Sequence, residues 1–291
     1  MTTKTGMGKK FLSLLLCTGL MLILLPVTAL ADTTYEYIDE NGVLQTTATT
    51  VTVISGSEVG ETLSSGWYIV LEAGVTRTST VTVSGDVHLI LADGASLEVT
   101  GAAQSAGIDV SSTNSLTIYG QSLGTGEVTA RGGRCGAGIG GGYYISGGSV
   151  NISGGLVNAT GGDFSAGIGG GFGGIGGTVY ISGGTVTATG GQSGAGIGGG
   201  NLGDGGSITI NGGTITANGS VFNGAGIGGG SGGSGGTVTI SGGTVTAVSD
   251  HSGAGIGGGL AGNGGTVTIS GGTVNAVGGF GAQDIGYGRA G

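Results

Sequence analysis

Residues 224–252 read GAGIGGGSGGSGGTVTISGGTVTAVSDHS, and this stretch decides the fold because the chain repeats it. Its opening Ala-Gly-Ile-Gly-Gly-Gly recurs around Ile139, Ile168, Ile197, Ile227 and Ile256, with a decayed copy at Ile285 and a weaker one at Ala106-Gly107-Ile108. Successive isoleucines from Ile139 onward stand 29, 29, 30, 29 and 29 residues apart. A fixed period in this range is the mark of a solenoid, in which each repeat covers the next. Between the glycine runs lie two short stretches, Val238-Thr239-Ile240 and Val245-Thr246-Ala247 in this copy, that alternate apolar and polar residues. That two-residue period is a strand with one buried face, and Val, Ile and Thr suit a pleated surface.

Ser-Gly-Gly or Asn-Gly-Gly separates the two strands in each copy, a tight corner open to positive φ. Ala-Gly-Ile then forms a third, narrower wall, with Ala195 and Ile197 expected inward and Gly196 outward. Three walls and three corners predict one turn of a triangular coil. The one extra residue falls between Ile215 and Ile227, in a corner, where insertion does least harm. The expected architecture is all-β: a parallel β-helix of about six regular 29-residue coils over residues 104–291. Residues 32–103 are read as an irregular N-terminal β cap with early coils. There Tyr35 to Ile38 and Val43 to Thr46 flank Asp39-Glu40-Asn41-Gly42, a hairpin signal. The C-terminal coil lacks a comparable cover, so end-to-end self-association is a possible partner mode.

Residues 1–31 read as an export signal: Lys4, Lys9 and Lys10, an apolar run from Phe11 to Leu25, and Ala29-Leu30-Ala31 before a cleavage point. The expected location is secreted or cell-surface, with no membrane contact after cleavage. All three lysines leave with the signal, so four arginines face sixteen acids and the formal charge becomes −12. Nucleic acid is an improbable partner for such a surface. Cys135 is then the one remaining cysteine, so no disulfide within the chain staples the fold.

Trp67-Tyr68-Ile69-Val70, Leu89 to Ala95 and Leu116 to Gln121, read with the repeats, resemble the secreted glycine-rich, pectin-lyase-like β-helix repeat proteins of Gram-positive bacteria. The resemblance covers nearly all of the mature chain. It implies a right-handed helix and a carbohydrate-binding or adhesin-like role, with a polysaccharide or a host or cell-surface glycan as partner.

Candidate chemistry is sparse. Gly136 to Gly141 fits the dinucleotide pattern GxGxxG, but that site needs one loop between a strand and a helix, and here the pattern repeats without helical periodicity. No cofactor is expected. Calcium rolls carry an aspartate in each glycine-rich turn, whereas only Asp204 stands in such a corner, so no metal is expected. Arg131 and Arg134 near Asp109 or Asp163 read as surface ion pairs, and with no triad or acid cluster in register the chain is expected not to be an enzyme. Two features could bind. Tyr143, Tyr144, Phe172 and Tyr180 sit after the glycine corners or on an outward strand position; they either stack on sugar rings or shield a thin core. The alternative is an outward threonine face, Thr185, Thr187, Thr214, Thr216, Thr244 and Thr246, which resembles the flat ladders of ice-binding solenoids.

Overall fold

A computed structural model describes residues 34–47 and 49–291; the expected export signal lies outside the described residues. The described chain is a right-handed parallel β-solenoid of about seven turns, and no helix occurs among the described residues. Three columns of strands run along it. The first wall includes Ser149–Ile152, Thr178–Ile181, Ser207–Ile210, Thr237–Ile240 and Thr266–Ile269. The second follows the glycine corner and includes Leu156–Thr160, Thr185–Thr189, Thr214–Asn218, Thr244–Val248 and Thr273–Val277. The third, thin wall is a series of two-residue strands such as Ile168–Gly169 and Ile197–Gly198.

Strand pairing between the regular coils is parallel and in register: Val179 pairs with Val150 and Ile208, Ile197 with Ile168 and Ile227. Like therefore stacks on like. The inward residues Val186, Ala188, Ile197, Ile208 and Ile210 are all fully buried, which gives a continuous aliphatic column in place of a separate core for each repeat. The extra residue of the 30-residue coil falls at the corner with exposed Val221 and Phe222, outside any strand. In the first coils the thin wall and the first wall merge: Val81–Leu91 is one long strand that pairs with Ile108–Asp109 at its start and with Ser115–Gly120 at its end.

The thin wall differs from the expectation in one respect. Gly196 does not face solvent; it is buried, and a Cβ there would come 2.8 Å from the Asn218 backbone nitrogen. The loops on either side of the thin wall fold back and meet, as where the Phe172 amide donates to the Cys135 carbonyl (3.1 Å) and the Asn201 amide to the Phe164 carbonyl (2.8 Å). Only glycine leaves room for backbone on both faces.

The N-terminal segment covers a flank as well as forming the first coils. The hairpin of Glu36–Ile38 and Leu44–Thr46 lies against the first wall, where Gln121 Nε2 donates to the Glu36 carbonyl (3.0 Å). Its Tyr37 packs on Trp67 and Tyr119 with ring centroids 4.9 and 4.7 Å apart. In the early coils the buried Arg77 bonds to Glu61 at 2.7 Å and to the carbonyls of Gly56 and Thr76, a polar plug where later coils carry aliphatics. At the other end, Ile269, Val277 and Ile285 of the last coil are exposed.

Candidate functional site

The corner that follows each thin wall needs a left-handed residue. Tyr144, Gly173, Leu202, Gly232 and Ala261 fill it in successive coils, with φ from 57° to 81°. Non-glycine residues there cost about 1–2 kcal/mol, and Tyr144 is one of three that bear it. Its ring lies across the next coil's Gly173, where a Cβ would come 2.5 Å from Tyr144 Cδ1. Tyr143 and Tyr144 meet edge-on at 4.4 Å between centroids. Phe172, one coil on, stacks with Tyr143 at 5.5 Å and meets Tyr144 edge-on at 5.1 Å. The fold brings these three of the four expected aromatics together, and adds Phe164, 5.9 Å from Phe172.

Tyr143 and Tyr144 remain 40% and 62% exposed, so the patch is open to solvent. Beside it lies a cleft of about 260 Å³ lined by Gln104, Arg134, Cys135, Tyr143, Phe164 and Phe172. Desolvation, reinforced by the Tyr144 hydroxyl, raises the pKa of the Tyr143 phenol above its usual range. Arg134 lies 3.8 Å from Asp163. Flat apolar rings, an amide and a guanidinium around an open cleft suit the apolar face and hydroxyl edge of a sugar. Phe164 went unrecognised in the sequence because it precedes the thin wall while Phe172 follows it; the backward fold of both loops is what joins them.

Tyr180 is not in this patch. It stands on the first wall, where its hydroxyl accepts from Asn211 Nδ2 at 2.9 Å. The threonines do form the expected array: Thr185, Thr214 and Thr244 are in register, as are Thr187, Thr216 and Thr246, and the first column is exposed while the second is half-buried. Leu156 and Asn158 end both columns on one side.

Two carboxylates that are distant in sequence come onto the second wall. Glu98 pairs in register with Thr129, and Glu127 with Ser96. Both are engaged: Glu127 Oε1 accepts from Asn158 Nδ2 (2.8 Å) and Thr129 Oγ1 (3.1 Å), and Arg131, expected near Asp109 or Asp163, lies 3.8 Å from Glu98. Among the described residues no three His, Cys, Asp or Glu side chains come together as a metal site requires.

Asp109 stands where later coils have Gly140 and Gly169, and its Oδ1 is buried without a partner. Desolvation raises its pKa, partly offset by a hydrogen bond from Ser111. The folded state therefore holds this proton more tightly than the unfolded one. The contribution of Asp109 to stability is greatest at acid pH and falls as pH rises from the ordinary aspartate value of 3.8 through the raised one. Asp109→Asn should remove that loss and stabilise the protein at pH 7 by about 1 kcal/mol, kept small because the group is partly solvated. Denaturation of both proteins at pH 3 and pH 7 checks this; a gain that is equal at the two values would contradict it.

No curated protein and no solved structure was found to match the chain. The family model for the β-helix repeat matches residues 124–143, 150–172, 179–201, 208–231, 238–260 and 267–291. From the second segment on, each match opens in a first-wall strand and runs through the thin wall. The unmatched gaps contain the left-handed corner residues Tyr144, Gly173, Leu202, Gly232 and Ala261. Repeat, register and family model agree, and the chain is a β-helix repeat protein.

Proposed function

We propose that this is a non-catalytic exported protein that binds polysaccharide through the corner patch of Tyr143, Tyr144, Phe164 and Phe172. The observation that carries the reading is the clustering of four rings from adjacent coils at one solvent-open corner, when the same corner is served by Leu202, Gly232 or Ala261 elsewhere. Exposed rings packed edge-on present faces that a sugar can cover. The resemblance to exported glycine-rich β-helix proteins supports the same reading, as does the acidic, lysine-poor surface, which is unsuited to nucleic acid.

The patch as a shield for the core and the patch as a binding surface predict opposite results. Tyr144→Gly supplies the residue that the next coil already uses. For a binding patch, the variant keeps or gains about 1 kcal/mol of stability, through relief of the left-handed strain. Retention on the polysaccharide that the wild type binds then falls about tenfold or more, and Tyr143→Ala and Phe172→Ala weaken it similarly. The screen takes plant, mucin and bacterial polysaccharides in affinity electrophoresis, with melting followed by circular dichroism. If the folded wild type is retained by none of them, the reading fails. Thermal hysteresis by the wild type, abolished by Thr216→Tyr, would instead favour the threonine columns as an ice-binding face, a reading supported by their three-coil register.

A further inference from the structure

Tyr180 lines a second cleft, of about 220 Å³, between the N-terminal hairpin and the first wall. Along the first wall the outward position passes from Thr117 to Asn151 to Tyr180 in consecutive coils. The neighbouring corner position passes from Tyr119 to Ser153 to Ser182. Two tyrosines thus stand two coils apart with small residues between them, and Glu40 of the hairpin turn reaches the same cleft. Neighbouring strands are about 4.8 Å apart, so two coils span close to 10 Å. Tyr119 leans toward the preceding coil, where its hydroxyl meets His88 Nδ1 at 3.0 Å and its ring stacks beside Trp67 and His88, so the cleft opens over Asn151 and Ser153 toward Tyr180.

The groups in the cleft are hydroxyls, an amide and one carboxylate. Asn151 Nδ2 donates to Thr117 Oγ1 (3.3 Å), which leaves the amide oxygen as an acceptor. Tyr180 Oη accepts from Asn211, which leaves its own proton to donate. Burial pushes the Tyr119 pKa up to about 12, so its phenol stays uncharged. The Ser182 hydroxyl is buried with no hydrogen-bond partner, the one such group at the cleft. A buried unpaired hydroxyl is costly, and a ligand that supplies a partner gains what the free protein lacks. Neither lysine nor arginine lines the cleft, and Glu40 would repel an anion. The corner patch differs here, since Arg134 lies beside it.

From this geometry we infer a second binding site that takes one uncharged sugar residue, packed against Tyr180 beside Tyr119 and hydrogen-bonded by Asn151, Ser153, Ser182 and Glu40. The site deepens the polysaccharide-binding reading and rests on it, but its chemistry excludes uronic acids and sulfated sugars. The hairpin forms its roof, tied down by Gln121 to the Glu36 carbonyl and by Ser153 Oγ to the Ile38 carbonyl at 3.4 Å.

The molecule carries its own reporter. Trp67 is the single tryptophan, and its ring stacks on Tyr119 at 5.3 Å. Tryptophan emission therefore follows this cleft and not the corner patch, which holds only tyrosine and phenylalanine. The protein from residue 32 to residue 291 is titrated with methyl glycosides of glucose, galactose, mannose and N-acetylglucosamine, and with methyl galacturonide. At least one neutral glycoside should shift the emission saturably at about millimolar concentration, as expected for so small a ligand. Methyl galacturonide should not.

Tyr180→Thr installs the residue that Thr209, Thr239 and Thr268 place in the same column, so the variant is built to fold. It should weaken the response about tenfold or more and leave polysaccharide retention by the corner patch in place. Tyr143→Ala with Phe172→Ala should do the reverse. No saturable emission change with any neutral glycoside overturns the second site, even where polysaccharide is still retained. So does a response of full affinity in Tyr180→Thr. A response that persists while the patch variants retain polysaccharide as well as the wild type would overturn the patch and keep the cleft.

Discussion

Gly198→Ala is expected to cost more than about 4 kcal/mol, the range reserved for a named structural fault. Two faults coincide at this residue. Its φ is +134°, where a side chain adds about 1–3 kcal/mol of strain. The added Cβ would also lie 2.0 Å from the Gly228 carbonyl oxygen, closer than any real contact. That oxygen cannot move aside, because it accepts from the Gly199 amide at 2.9 Å in the ladder between coils. Relief requires the coils to part, and parting breaks the ladder that stabilises both. The clash recurs at Gly140, Gly169, Gly228 and Gly257, each with a Cβ position about 2.0 Å from the next coil's carbonyl, so any of them should behave alike. Gly42 is the control: its φ is +76° but nothing lies within 4 Å, and alanine there should cost only about 1 kcal/mol. Urea denaturation followed by circular dichroism checks the pair. Melting of Gly198→Ala within a few degrees of the wild type would mean the coils are not held this closely.

The second large effect separates position in the stack from residue type. Ile168→Ala removes a fully buried side chain flanked in register by Ile139 and Ile197. Neighbours on both sides are fixed by their own ladders, so the cavity cannot collapse, and the loss should be about 2–5 kcal/mol. Ile285 occupies the same column in the last coil and is 43% exposed. Its truncation should cost less than about 1 kcal/mol, because much of its surface is already in water. Hydrogen exchange gives the same contrast: amides near Ile168 should be protected to a free energy well above that of amides near Ile285. Equal losses at the two sites would show that the chain unfolds as one unit and not as a stack of neighbours.

Most of the fold was legible because the sequence states it several times over. The spacing of Ile139, Ile168, Ile197, Ile227 and Ile256 places the coils, and the alternation in Val238-Thr239-Ile240 assigns the inward face; both agree with the paired register and burial. Gly196 was misplaced because strand alternation was extended to a wall of only two residues, where loop closure and not pleat decides what is covered. The candidate site was legible in part for the same reason. Tyr143, Tyr144 and Phe172 follow the glycine runs and were found from that position, whereas Phe164 needed the loop fold. Tyr180 was grouped with them by type and proximity along the chain, yet it stands on a different wall. The second cleft had no signal in the repeats, because one side of it is the hairpin, which meets Gln121 across 85 residues of chain and Ser153 across 115.

In-register stacking has one further consequence. Because each coil presents to its neighbour the same strand register that its neighbour presents to the next, a whole coil is interchangeable stock. Excising the segment from Gly198 to Ile227 would join Ile197 to Gly228 in an unchanged corner and shorten the rod by about 4.8 Å. The distance between the corner patch and the far end of the molecule is thus graduated in single coils, and duplication or loss of one repeat resets it like the notches of a ruler.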